Sequence, residues 1–234
     1  MRAEKKFVTT GRHNVPDPRF DMGILNMADA ARFLALKRQT FHRWAKGYER
    51  GEPLIHVLTA PPRRANISFI ALTEAYVLEA LRDAGVHIRR IRPALEALQK
   101  EFGREYVLTA PNLATDGIDV LWDFSKSTQG AGLIEARSGQ NVIREIVADY
   151  IQYVTWDEGE VPIQLQLRQW EPAKVVVDPY HSFGQPRFGV AGPRVADVAA
   201  MLKAGEPGEV VADEFSISRE EVRTAARILL GSAA

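Results

Sequence analysis

The sequence predicts an α+β fold, and three observations carry that reading. Apolar residues recur at helical spacing near the N-terminus, through residues 73–102 and again over 196–230. Short β-type runs fall between these blocks, above all in residues 105–170. Asn, Ser, Pro and Gly stand where helices of those lengths start and stop. Together they divide the chain into a polar arm (1–22), a winged helix-turn-helix (23–104), a mixed α/β middle region with one helix (105–170) and a small three-helix C-terminal region (171–234).

Taken in order, Asn26 caps a helix from Met27 to about Ala35, and a tight turn around Leu36 leads to a second helix, about Arg38 to Tyr48. Two β-type runs, Leu54–Leu58 and Ile67–Ile70, flank a tip with Pro61, Pro62, Arg63 and Arg64, which predicts a hairpin wing. Thr73 opens a helix that stops at Gly85, and another begins near Arg92 with Pro93 in its first turn. The middle region is expected to hold strands at 106–109, 120–124, 133–136 and 163–167, with a helix over 141–154. A Val run at 175–177 gives one more strand. Three helices follow, Ala196–Ala204, Gly208–Phe215 and Arg219–Leu230, the last opened by a capping box of Ser218 and Glu221.

Composition narrows the function. The 234 residues include no cysteine, which excludes disulfides, thiolate metal sites and Cys nucleophiles. The N-terminus lacks the apolar run of a signal peptide, and no apolar stretch reaches the roughly 18 residues of a membrane span, so a cytoplasmic protein with no membrane partner is expected. Net charge is zero, yet residues 1–104 carry 19 Lys+Arg against 11 Asp+Glu and the rest carry 11 against 19. Such asymmetry points to one half that touches nucleic acid.

The stretch LALKRQTFHRWAKGYERG, residues 34–51, gives that half a reader. A core-covering helix has a wide apolar stripe, whereas this one has a narrow foot, Phe41 and Trp44, beneath a broad polar face. Base reading needs Arg or Lys for guanine and Gln or Asn for adenine. Lys37, Arg38, Gln39, Thr40, His42 and Arg43 supply that inventory, Arg63 and Arg64 add contacts from the wing, and Arg89, Arg90 and Arg92 form a further phosphate patch.

Catalytic chemistry has little support. His13, His42, His56, His87 and His181 are scattered without an i,i+4 pair. Asp157, Glu158 and Glu160 are the one carboxylate cluster that suits a divalent metal, and they sit in a turn with Gly159. No enzyme and no cofactor is expected.

Two stretches carry a family resemblance. NMADAARFLALKRQTFHRWAKGYERG, the run after it and LTEAYVLEALRDAGVHIRRI resemble the MerR-type winged helix-turn-helix domain. Ala35 stands where that family often has glycine, and Lys37 where a capping Ser is common. The C-terminal section resembles the small helical domain catalogued as domain of unknown function 433, through Asp178-Pro179, Phe183-Gly184-Gln185-Pro186, Gly192-Pro193-Arg194-Val195, Gly205 and the helix start at Ser218. Long proteins of this architecture are similar to VapB-class antitoxins of type II toxin–antitoxin pairs. The resemblance implies a partner toxin of the PIN-type, VapC-like ribonuclease class. It also implies binding to operator DNA with repression, as a homodimer or in a larger toxin–antitoxin assembly. Arg194 is singled out as a candidate toxin contact. The alternative is a MerR-like regulator that senses a small molecule through its C-terminal half.

Overall fold

The computed structural model describes residues 16–48, 52–61, 64–135 and 138–229. Its architecture is α+β: helices packed with one four-stranded antiparallel sheet. The helices are α1 (Pro18–Asp21), α2 (Met27–Phe33), α3 (Arg38–Lys46), α4 (Phe69–Asp83), α5 (Arg92–Phe102), α6 (Asp116–Ser125), α7 (Gln140–Ile151), α8 (Val195–Lys203), α9 (Gly208–Phe215) and α10 (Arg219–Leu229). The strands are β1 (Val154–Trp156), β2 (Pro162–Gln166), β3 (Val175–Val177) and β4 (Arg187–Phe188), in that order across the sheet.

The spine of the molecule is α4. Twelve of its fifteen residues are buried, so it is apolar nearly all round and serves as the element on which others pack. Helix α7 lies along it, with the Tyr76 and Tyr150 rings 5.2 Å apart. The inner sheet face presents Val154, Leu165, Val175 and Val177, all buried. The sheet region is braced on α2, because Gln169 Nε2 and Trp170 Nε1 both donate to the Phe33 carbonyl, at 2.7 and 2.6 Å. Buried apolar side chains from every region belong to one continuous core. No helix among the described residues is long and apolar enough to cross a membrane.

Among the described residues the wing forms no hairpin. Leu58 N–H donates to the Asn66 carbonyl at 2.9 Å and closes it, but Leu54–Leu58 forms no strand. The run Ile67–Ile70 divides: Ile67 makes a single bridge with Leu25, and Ser68 caps a helix that starts at Phe69, four residues before Thr73. The cap is a bond from Ala71 N–H to Ser68 Oγ at 3.2 Å. A short apolar run suits a buried helix as well as a strand, and here burial on all sides selects the helix.

Three middle strands are also corrected. Residues 107–109 form a 3-10 turn, and residues 120–124 lie within α6, where Ile118 and Leu121, three apart, point inward. Of 133–136, Ile134 makes only a bridge to Val86, while Ala136 lies outside the described residues. The expected helix 141–154 ends at Ile151, and Val154 pairs with Leu165 to open the sheet. The three C-terminal helices form where periodicity and caps place them.

Candidate nucleic-acid interface

The site begins with a capped, short helix. Asn26 Oδ1 accepts the Asp29 N–H at 2.9 Å and starts α2, which buries Ala30, Ala31 and Phe33. The chain then reverses through Leu34–Lys37. Ala35 adopts φ 54°, a left-handed conformation that costs a residue with a Cβ about 1 kcal/mol, and the Leu36 N–H bonds the Ala31 carbonyl at 2.8 Å. Lys37 is the N-cap of α3 and makes no side-chain cap bond. Gly47, at φ 85°, ends the helix.

Helix α3 buries Phe41, Trp44 and Ala45, three or four apart, so its other faces are fixed by geometry. Lys37, Arg38, Gln39, His42, Arg43 and Lys46 are all exposed. Thr40 falls toward the buried side, is only partly exposed, and lines a cavity behind the helix with Trp44 and Tyr48. Five of the six residues predicted on this helix therefore share one surface, and Thr40 sits on its flank. None of Lys37, Arg38, Arg43 and Lys46 has an acidic partner among the described residues.

Two concavities border α3. One, about 410 Å³, is lined by Met27, Ala28, Arg38, Gln39, His42 and Arg43. The other, about 470 Å³, runs from Lys46 past the start of α2 to Pro61, Arg64 and Asn66 in the loop. Met27 and Ala28 border both, so helix, helix start and loop make one continuous surface. Arg64 belongs to it; Arg63 lies outside the described residues.

A pair that the sequence did not reveal, a buried carboxylate against a half-exposed imidazole, holds this loop. Glu74, on α4, is 1% exposed; it accepts the His56 N–H at 2.8 Å and faces His56 Nδ1 at 2.6 Å. Burial works against the imidazolium, but the Glu74 hydrogen bond and charge, with Glu105 beyond, raise the His56 pKa above its ordinary 6.5. The one sequence signal was the apolar surround of Glu74 within α4.

Other candidates lie outside α3. Arg90 donates to the Ala131 carbonyl at 2.9 Å, Arg92 to the carbonyls of Glu52 and Pro53, and Arg89 lies over the Tyr48 ring. The Arg90 and Arg92 bonds go to neutral backbone carbonyls and leave the charge without a carboxylate, and Arg89 and Arg90 line one cavity with Tyr48. Arg194 grips Asp197 with two bonds, at 2.7 and 2.8 Å. Asp157 is held by Arg19 and the Val161 N–H, and Glu160 pairs with Arg104, so this carboxylate cluster is drawn apart toward separate partners.

A short helix and a second, cation-faced helix crossing a four-residue turn define a helix-turn-helix protein. Residues 24–95 match the family described as "Putative DNA-binding HTH domain". Over 225 residues the chain is 40% identical to "Putative antitoxin VapB45" of Mycobacterium tuberculosis, covering 88% of this chain and 94% of that protein. It is 27% identical to "Uncharacterized protein Rv2308" of the same organism, over 88% and 93% of the two chains. A solved structure described as "X-ray crystal structure of Rv2018 from Mycobacterium tuberculosis" superposes with a TM-score of 0.72 at 34% identity, covering 88% of this chain and 99% of that one. The chain belongs to the family of the protein named "Putative antitoxin VapB45".

Proposed function

We propose that this chain is the antitoxin of a type II toxin–antitoxin pair in the cytoplasm. It reads operator DNA to repress its own promoter, and it binds and inhibits a PIN-type, VapC-like ribonuclease toxin. It acts as a homodimer or within a larger toxin–antitoxin assembly, with residues 23–104 on DNA and the acidic remainder facing protein. The observation that carries the DNA half is the exposed face of α3, whose cations have no acidic partner among the described residues. Unneutralised Lys and Arg bind phosphate by releasing counterions, and no internal carboxylate has to be displaced first. Arg38 and Arg43 suit guanine and Gln39 suits adenine, while Lys37, Lys46 and Arg64 suit the phosphates. The toxin half is supported by the name of the 40%-identical relative.

The test has two arms. Co-expression with the adjacent reading frame is expected to yield a stoichiometric complex whose small subunit stops growth when expressed alone. Titration onto the promoter duplex is expected to give an affinity that falls steeply with salt. A chain that binds the promoter and neither captures nor neutralises that neighbour is not an antitoxin for it.

A further inference from the structure

Helix α3 has two flanks. Arg38, His42 and Lys46, four apart, run along one of them, beside the start of α2. Thr40 and Trp44, also four apart, run along the other, with Tyr48 just past the helix end. At 3.6 residues per turn the two rows stand roughly 160° apart. The second row borders a cavity of about 550 Å³. Its other walls are the α4–α5 junction, with Arg82, His87, Arg89 and Arg90, and a loop of the middle region at Gly132 and Glu135.

Backbone contacts, not acids, place the cations of that junction. Residues Ile88–Arg90 form a 3-10 turn, pinned by the buried side chains of Ile88 and Ile91. The His87 N–H donates to the Leu133 carbonyl at 2.7 Å and the Glu135 N–H to the Gly85 carbonyl at 3.0 Å, which docks the loop on the junction. Arg90 donates to the Ala131 carbonyl at 2.9 Å and packs against Gly132, where a Cβ would sit 2.3 Å from Arg90 Nη1. Arg89 Cζ stands 5.8 Å from the centre of the Tyr48 ring. Both arginines are exposed, and neither has a carboxylate partner among the described residues. Arg82 is taken by Glu79, and Glu135 is the one carboxylate among the lining residues. Arg92 stands apart, in a second cavity that it shares with Glu52, Glu74, Glu96 and Glu105.

Two guanidiniums on one wall select an anion, and position selects which one. The major groove is about 12 Å wide and a helix with its side chains about 10–12 Å across, so a helix lying in the groove meets a phosphate backbone on each side. Lys46 and Arg64 serve one side of α3. On the other, Thr40 and Arg43 are three apart and therefore neighbours on the helix surface, so a duplex held by Arg43 brings its backbone to the mouth of this cavity. We propose that the cavity seats a backbone phosphate of the operator, held by Arg89 and Arg90 with the Thr40 hydroxyl as a further donor, on the strand opposite the one that Lys46 and Arg64 approach. This rests on α3 as the reading helix. The contact is to phosphate oxygen and not to base edges, so it adds affinity without sequence preference.

The experiment uses the full chain. Fluorescence anisotropy reads affinity for the promoter duplex and for a scrambled duplex across a salt series, in wild type, Arg89→Gln, Arg89→Lys and Arg90→Gln, with the melting temperature of each. Both Gln variants are expected to lose about fivefold in affinity on the two duplexes alike, with the slope of log affinity against log salt shallower by about one unit. Arg89→Lys keeps the charge and is expected to keep the wild-type slope. A wild-type slope in both Gln variants overturns the proposal and leaves the reading by α3 standing. A lower melting temperature with an unchanged slope assigns the arginines to packing and also overturns it. A free phosphorylated ligand offers the same chemistry, so inorganic phosphate and adenosine monophosphate are titrated by calorimetry, and no saturable binding is expected. Saturable binding that is lost in the Gln variants, with their duplex slope unchanged, makes the cavity a site for a free ligand and overturns the assignment to DNA. A wild-type chain without affinity for the promoter duplex removes the reading by α3, and this site with it.

Discussion

The chain carries two helix-turn-helix units, and they are alike in backbone and opposite in chemistry. Helices α2 and α3 are joined by residues 34–37, helices α9 and α10 by residues 216–218. Each turn places one non-glycine residue in the left-handed region, Ala35 at φ 54° and Ser216 at φ 52°. Each second helix buries a stripe at helical spacing: Phe41, Trp44 and Ala45 in one, Val222, Ala225 and Ile228 in the other. The outward faces differ. Residues 26–48 hold five Lys and Arg against one acid, residues 205–229 three Arg against six acids. In α10 every arginine is taken: Arg219 by Glu209 at 2.8 Å, Arg223 by Glu220 at 3.7 Å and Arg227 by Glu220 at 2.9 Å. An anion approaching α10 competes with carboxylates, and one approaching α3 displaces only water and counterions. The motif fixes where side chains stand; the neighbouring charges decide whether they are available.

The same contrast appears in the ion pairs that brace each unit, and here the largest effect is expected. Glu74→Ala removes the acceptor of both the His56 N–H and its ring and releases the loop beside α3, which is expected to cost about 2 kcal/mol in urea unfolding, the half-exposed imidazole being screened by solvent. Glu220→Ala, at a solvent-facing pair, is expected to cost less than about 1 kcal/mol. The Glu74–His56 pair also sets a pH dependence. The folded His56 pKa lies above the ordinary 6.5, so its contribution is complete below about pH 6.5 and is lost as pH rises through the folded value. Glu74→Gln is expected to flatten that fall. Equal losses from Glu74→Ala and Glu220→Ala would mean that the loop is not anchored by this pair.

Next in size is operator binding. Arg38→Ala and Arg43→Ala are each expected to cost about 1–3 kcal/mol in promoter affinity and to leave toxin affinity intact. Arg223→Ala in α10 is expected to change neither. Fluorescence anisotropy on the promoter duplex reads all three, and a loss from Arg223→Ala as large as that from Arg43→Ala would erase the distinction between the two units.

Much of this contrast was legible in the sequence. The three C-terminal helices announce themselves through periodicity, Gly205 and the Ser218–Glu221 capping box, and the cationic face of α3 follows from the spacing of Phe41 and Trp44. The wing was not legible, because Ile67–Ile70 satisfies a strand pattern and a buried helix pattern equally. Val120, Trp122 and Phe124 alternate as in a strand, yet Ile118 and Leu121 are the pair that packs inward. The Glu74–His56 pair was hidden for another reason: its partners lie 18 residues apart, one of them in an irregular loop. Strand and ion-pair partners depend on tertiary placement, which local pattern does not encode.

The smallest expected effect sharpens the comparison most finely, at the two helix starts. In α10, Ser218 Oγ accepts the Glu221 N–H at 3.2 Å and the Ser218 N–H donates to Glu221 Oε2 at 2.8 Å, a reciprocal cap. In α3 the same position is Lys37, which offers the helix no cap bond and adds a positive charge to the positive end of its dipole. Stability alone favours serine there. Lys37→Ser is expected to stabilise the chain by about 0.5–1 kcal/mol, read as a raised melting temperature. It is also expected to make the slope of log affinity against log salt shallower by about one unit, the signature of one lost phosphate contact. A higher melting temperature with an unchanged slope would show that Lys37 does not touch phosphate. A higher melting temperature with the shallower slope would show that α3 forgoes its cap to keep a cation at the DNA surface, a concession that α10 does not make.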